Sequence, residues 1–447
     1  MDDDPQLPSS AGPPSSTVPA GGPAAEPGPT GFPTGRQAPR VAGEPTPAAA
    51  PAAPHGPGRD VGGAVAATVA GSLAVFLVGA LGVQLQQSLH FGPAALGAAV
   101  SICYVGAALG SVPFGRLAEA VGGARVLRLA ALAAAGLLGA LALAARSWAL
   151  LAGLLFLAGL VSSAIQPAAN LFLARRTPPG QQGLAFGVKQ AAVPLAAVIG
   201  GFAVPVVALT VGWRWAFVLA AAGSLVAAVA VPHPRISLAE HRARPAALLP
   251  TGSRRALVTL AIGLGLGVFA ATGLTAFIVS AAVHAGISQA AAGWLAALGG
   301  LVAGAARVVS GWRADRRGRS HLPVAAAMLA TGGVGYAVLV VGSARGEAVL
   351  LVVGVVVAYG AGWGWNGLFN FAIVRTHPEA PARATSVTQV GGRLAGALGP
   401  FTFGLVAAHG SYADAWAVAG SAALVGAGLM LVGRRLLVRR RRTLATT

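Results

Sequence analysis

Twelve long apolar segments follow one another along this chain, at residues 64–88, 95–118, 124–144, 148–174, 183–209, 213–232, 255–282, 289–312, 322–342, 347–374, 384–408 and 412–436. A helix that crosses a bilayer needs roughly 20 predominantly apolar residues, and each segment is that long. In hydrocarbon no water satisfies backbone N–H and C=O groups, so such a chain must satisfy them within helices. The expected fold class is an all-α polytopic membrane protein with twelve transmembrane helices. Composition excludes the soluble alternative: 10% of the residues are charged, against about a quarter in an ordinary globular domain. Glycine and alanine recur throughout and let helices approach closely where no hydrophobic effect drives them together. Pro113, Pro194, Pro205 and Pro400 fall inside segments, where they are expected to bend helices.

The ends of the chain read differently. Residues 1–60 hold fifteen of the thirty prolines and bury too little apolar surface to offset the entropy of ordering, so a disordered tail is expected. It opens Met1-Asp2-Asp3-Asp4 without an early apolar core, unlike a signal peptide. The net charge is +19, but its placement argues against nucleic acid. Thirty of the 31 basic residues are arginine, and nearly all lie in short links between apolar segments. If the tail is cytoplasmic, the inner links and tails carry 25 arginines and the outer links three, Arg146, Arg214 and Arg345. That asymmetry predicts both termini in the cytoplasm, with the plasma membrane as the expected location. The basic end, 437–447, contains Arg439-Arg440-Arg441-Arg442 and suits contact with anionic membrane lipid. One cysteine, Cys103, leaves no internal disulfide and no thiolate zinc site.

The chain repeats itself. Residues 176–200 shifted by 199 place Arg176, Thr177, Pro179, Ala185, Val188, Gln190, Leu195, Ala196 and Gly200 on identical residues. Segment 5 therefore matches segment 11. The expected organisation is two pseudo-symmetric six-helix bundles, 61–232 and 255–436, joined by a cytoplasmic loop at 233–254. In a parallel duplication of this kind a substrate site lies near mid-membrane between the halves.

A short loop names the family. Gly311-Trp312-Arg313-Ala314-Asp315-Arg316-Arg317-Gly318-Arg319 sits between segments 8 and 9, and a worn copy, Gly115 to Arg125, sits between segments 2 and 3. In the copy Glu119 replaces the aspartate, Ala120 stands where an arginine is usual, and Gly122 and Arg125 remain. The pattern Gly-x-x-x-Asp-Arg-x-Gly-Arg resembles the cytoplasmic loop of the major facilitator superfamily of transporters, over about residues 61–436. The resemblance implies alternating access between the halves, with Gly115, Glu119, Gly122, Arg125, Gly311, Asp315, Arg316, Gly318 and Arg319 as gating residues. It implies Glu119 facing the start of segment 11 and Asp315 the start of segment 5, each favoured by the helix dipole. There is a weaker likeness to the organic-anion branches of the oxalate–formate and monocarboxylate type, by helix position only. The oxalate branch has lysine where this chain has Arg393.

Charged groups inside spans are costly and usually functional. None of the twelve acids lies mid-span, which argues against proton-coupled export of cationic drugs. Three cations remain. Arg393 is nine residues into segment 11, beside Gly391, Gly392 and Gly396, and its guanidinium suits a carboxylate. Lys189, the one lysine of the chain, lies in segment 5 and is a candidate for anion binding or for carrying a coupling proton. Arg307, four residues before Gly311, reads as either a structural anchor or a third anion contact. Gln190 and its repeat mate Gln389 lie at the same level, and amides at Gln166, Asn170 and Asn370 or the phenol of Tyr104 could line the same cavity. Trp363, Trp365 and Asn366 form a cluster in segment 10 whose indole faces could hold a flat ligand. No Gly-x-x-x-x-Gly-Lys loop and no nucleophile–base set is present, so neither ATP drive nor an enzyme is expected, and no cofactor.

The expected activity is secondary transport of a small organic anion, by exchange or proton symport, by a monomer. Two alternatives stay open: an exporter of drugs or secondary metabolites, and a non-transporting membrane sensor.

Overall fold

The computed structural model describes residues 57–177, 182–232, 253–316, 321–377 and 381–446, and among them every apolar segment is helical and no β-strand forms. The first half comprises α1 (Pro57–Ala80), α2 (Gly82–Leu89), α3 (Pro93–Val121), α4 (Gly123–Ala144), α5 (Trp148–Arg176), α6 (Gln182–Gln190), α7 (Ala192–Ala203) with a π turn at Val204–Ala208, and α8 (Trp213–Ala230). The second comprises α9 (Ser253–His284), α10 (Gln289–Arg316), α11 (Leu322–Arg345), α12 (Ala348–Gly360), α13 (Asn366–Thr376), α14 (Pro381–His409) and α15 (Tyr412–Thr446). Eleven helical stretches of the described residues are long and apolar enough to cross a membrane. The twelfth span, segment 10, is broken at 361–365 into α12 and α13.

Three spans are interrupted where the sequence suggested at most a bend. Leu81 separates α1 from α2, Ala191 separates α6 from α7, and the turn at 361–365 splits segment 10. Pro194 explains the second. It has no N–H to give to the carbonyl four residues back, that of Gln190, so the helix ladder loses a bond there. Pro205 lies in the π turn at the far end of the same span.

Both ends of the helical body differ from expectation. Helix α1 starts at Pro57, so Asp60, placed in the tail by composition, lies in its first turn, a favourable place for a carboxylate. Asp60 is buried and pairs with Arg176 at the end of α5, 3.1 Å away. The basic end is helical as well, because α15 continues to Thr446. At about 1.5 Å per residue it measures roughly 52 Å, well beyond a hydrocarbon core of about 30 Å.

Two arginines fasten α4 to α8. Arg128 of α4 donates to the carbonyls of Ala228 and Val231 at the end of α8 (3.2 and 2.7 Å). Arg214 of α8 donates to the carbonyls of Ala142 and Ala145 at the end of α4 (2.9 and 3.2 Å). Each satisfies carbonyls that a helix end leaves without partners.

The halves meet where α3 packs on α14, α7 on α10, and α1 on α9. The start of α1 and the end of α15 lie on one face of the bundle, here the terminal face; α3 begins on the opposite, far face. Contact is tight toward the far face. A Cβ at Gly97 of α3 would lie 2.3 Å from the Pro400 carbonyl of α14, and one at Gly201 would lie 2.4 Å from the Ala297 nitrogen of α10. Gln84 donates across the same junction to Gln289 (2.9 Å), and Gln86 to Ser280 (3.5 Å). Toward the terminal face the pairs part: a Cβ at Gly115 of α3 or Gly311 of α10 would meet nothing within 4 Å. Among the described residues, contact between the halves is thus tight on the far side and sparse on the terminal side.

Candidate functional site

Of the residues that carry charge inside the spans, Arg393 and Arg307 lie toward the junction between the halves at mid-membrane, and Lys189 lies behind it. On α14, Gly396, Pro400 and Gly404 form a stripe against α3, where Tyr104, Gly97 and Pro93 meet them. Helical spacing puts Arg393 on that same stripe, one turn nearer the terminal face. Its side chain is exposed, in contrast to the buried glycines above it. Among the described residues it makes no hydrogen bond and no ion pair. Val390, Leu394, Leu398, Phe401 and Leu405 are exposed on a different stripe, the apolar one that suits lipid. Arg393 thus faces the gap, not the bilayer.

Arg307 holds the opposite side of the gap. Its Nη1 donates to the Gln190 carbonyl of the first half (3.1 Å), and its Nη2 to the Trp363 carbonyl in the break between α12 and α13 (3.3 Å). The first of these is the carbonyl that Pro194 leaves without a helical donor. The guanidinium also lies over the Trp363 ring, 4.8 Å from its centroid. Trp363 in turn touches Phe76 of α1, ring centroids 5.8 Å apart. One arginine, through two backbone carbonyls and an indole, bridges the two halves at mid-membrane. Its Nε–H is buried without a partner.

Lys189 is placed behind this surface. It is 1% exposed. Its ammonium donates to the side-chain oxygens of Gln166 and Asn170 of α5 and of neighbouring Gln190, at 3.0 Å for Asn170 and 3.5 Å for Gln190. An ammonium has three donors, and three amide oxygens take them. In this state Lys189 offers nothing to the gap. The second half builds a neutral counterpart: Gln389 donates to Asn370 (2.9 Å), and Asn370 to Asn366 (3.0 Å). Gln389, Asn366 and Asn370 are only partly buried, so they remain at the edge of the cavity.

The two tryptophans separate. Trp363, 9% exposed, is part of the Arg307 bridge at the junction of the halves. Trp365 is not: it is 1% exposed, its indole N–H is spent on the Gly362 carbonyl (2.8 Å), and its ring packs onto Gly267 of α9 and Leu329 of α11. Ile165 packs onto Gly71 in the same way in the first half. Trp365 is therefore packed inside the second half in this structure.

Of the gating residues, Glu119 and Arg125 are exposed and make no hydrogen bond or ion pair among the described residues. Gly122 ends α3 with φ +98°, which glycine adopts without strain. Helix α10 runs through Asp315 and Arg316, whereas Gly318 and Arg319 lie outside the described residues.

An all-helical, multi-pass membrane protein of two repeated halves, with a cation-lined gap between them, is the class that this geometry defines. The Major Facilitator Superfamily profile matches residues 63–400, and the chain belongs to that family. Two uncharacterized MFS-type transporters, from two strains of Mycobacterium tuberculosis, are 30% identical over 292 residues, 63% of this chain and 64% of theirs. The matched region thus spans less than two thirds of those relatives. Among solved structures, a bacterial homolog of the human lysosomal transporter Spinster aligns in its inward-facing unoccupied conformation with a TM-score of 0.60 at 15% identity. That alignment covers 87% of this chain and 97% of the other. The inward-facing occupied conformation aligns with a TM-score of 0.62 at 14% identity, covering 86% and 96%. At those identities the likeness is one of fold.

Proposed function

We propose that this chain is a secondary transporter that moves a small organic anion across the plasma membrane by alternating access, with both termini cytoplasmic. The observation that carries the reading is Arg393. It is a permanently charged group, exposed toward the junction of the halves, with no partner among the described residues and no acid in the middle of any span to become one. A cation so placed has one economical use, to receive an anionic group from solution. Arg307, Gln389 and Asn366 stand near enough to the gap to orient the rest of the molecule. The exporter reading loses support because Trp365 is buried and the Trp363 face is covered by Arg307.

Counterflow in proteoliposomes tests this reading. Vesicles loaded with oxalate, lactate or benzoate should accumulate at least one of the labelled anions, and Arg393→Gln should lower its kcat/KM by about a hundredfold, the scale of one lost charge-assisted contact at a buried site. Anion movement equal in both proteins would make Arg393 structural.

The loop residues act in the other state. Glu119 is free here because the terminal face is open; on closure it meets the positive start of α14. Glu119→Gln should therefore enrich the open state. A cysteine reporter at the terminal opening that labels no faster in the variant would count against this role.

A further inference from the structure

We infer that the first half carries a binding site for one anionic phospholipid, on its outer side and apart from the junction of the halves. A furrow of about 720 Å³ runs there between α7 and α8, with α1 as its floor. Val69 and Leu73 line the floor, Ile199 and Phe202 one wall, and Leu219 and Val226 the other; no polar side chain lines it. Leu219 and Val226 are 56% and 70% exposed, so the furrow opens sideways, toward the bilayer.

The second half shows that the scaffold can close this place. There α9 stands where α1 does, and α15 where α8 does. A Cβ at Gly433 of α15 would lie 2.6 Å from Leu260 of α9, and one at Gly263 of α9 would lie 2.9 Å from the Gly426 carbonyl of α15. In the first half a Cβ at Gly62 or Gly223, both in the furrow, would meet nothing within 4 Å.

Shape decides what fits. From Gly62 to Leu77 the furrow follows α1 for roughly 22 Å, at about 1.5 Å per residue. Spread over that length, about 720 Å³ gives a cross-section of about 33 Å². A helix about 10 Å across would need about 80 Å², so a helix of a second copy does not enter. A single extended hydrocarbon chain does, and the bilayer supplies it.

Charge fixes the head. Arg59 shares one stripe of α1 with Gly62, Ala66 and Leu73, and stands one turn beyond the furrow's mouth. It is exposed and has no ion pair among the described residues, and neighbouring Asp60 is taken by Arg176. Moving an acyl chain from bilayer to furrow gains nothing hydrophobic, since both are apolar. What favours it is close packing against floor and walls, together with a phosphate on Arg59. The chain touches Phe202, whose ring meets Trp294 of α10 edge-on, centroids 4.9 Å apart. An occupied furrow thus braces the wall of α7 that reaches the second half.

The test uses the full chain in phosphatidylcholine nanodiscs with a trace of phosphatidylglycerol or phosphatidylcholine that carries a diazirine midway along one acyl chain. After irradiation, peptide mapping should place label from the phosphatidylglycerol probe on Val69 and Leu73, on the furrow floor. The phosphatidylcholine probe should label them about fivefold less, the factor for one arginine near an anionic headgroup. Arg59→Gln should erase that difference. Gly223→Leu fills the furrow at a point where a side chain has open space, so it should fold normally and lose floor label with either probe. Label confined to the rim, at Leu219 and Val226, would mean ordinary boundary lipid, or a furrow filled by another segment of this chain, and overturns the inference. Floor label that survives Gly223→Leu, or that is equal for the two probes, overturns it too.

Discussion

The two halves solve the same packing problem with different chemistry at corresponding places. Both put an amide pair on the fourth span of the half, Gln166 and Asn170 on α5, and Asn366 and Asn370 on α13. Both set a glutamine of the fifth span beside it, Gln190 and Gln389. There the likeness ends. The first half adds Lys189, wrapped in amide oxygens; the second has Thr388, whose hydroxyl bonds only its own helix, at the Thr385 carbonyl (3.0 Å). The first half has Pro194, which frees a carbonyl for Arg307. The repeat shift of 199 puts Arg393 at the place of that proline. One half carries its charge inward as a structural tie, and the other presents its charge to the gap. A duplicated scaffold can thus carry a caged and an uncaged cation on matching spans, at different positions of the repeat.

The largest effect that would sharpen this contrast is on Lys189. In Lys189→Met three part-buried amide oxygens lose a charged donor, each such bond being worth about 1.5–3 kcal/mol net. Re-pairing among the amides should recover part, so a loss of about 2–4 kcal/mol is expected. Thr388→Met removes only a bond within one helix turn and should cost no more than about 1 kcal/mol. Thermal unfolding of the full chain in detergent compares the two. Equal losses would mean that the caged ammonium is no more structural than its neutral counterpart.

Much of this was legible in the sequence, and the limits have physical causes. All twelve spans showed because apolarity is a property of composition, and the repeat showed because identical residues survive at a fixed shift. Arg393, Arg307 and Lys189 were visible as charges where charge is costly. Their roles were not, because a role depends on partners. Lys189 reads as a candidate anion site until the i, i+4 spacing of Gln166 and Asn170 is seen to face it from α5. Trp363 and Trp365, two residues apart on one segment, cannot be told apart by hydropathy. Only the break in the helix sends one to the junction of the halves and the other to Gly267. The break itself escaped notice because nothing in Gly360-Ala361-Gly362 forbids a helix; it lies where α11 crosses the 361–365 turn, with Gly332 against Gly362. Asp60 was assigned to the tail because composition changes gradually there, whereas its burial depends on Arg176, 116 residues away.

The smallest expected effect concerns Pro194, and it bears on how the two halves are coupled. Pro194 stands in the first turn of α7, where a missing N–H costs little. Replacing it by alanine should change unfolding stability by no more than about 1 kcal/mol, because the helix already breaks at Ala191. What the alanine adds is an N–H aimed at the Gln190 carbonyl, the acceptor that Arg307 uses from the other half. Two donors then compete for one oxygen, and the cross-half bond weakens by a fraction of its net worth of about 1–3 kcal/mol. Arg307→Lys removes the fork that reaches the Gln190 and Trp363 carbonyls together. If the proline serves to free that oxygen, the two substitutions act on one bond, and their effects on counterflow should fall short of their sum by about 0.5–1 kcal/mol in a double-mutant cycle. Strict additivity would mean that Pro194 shapes α7 without serving the bridge that Arg307 makes.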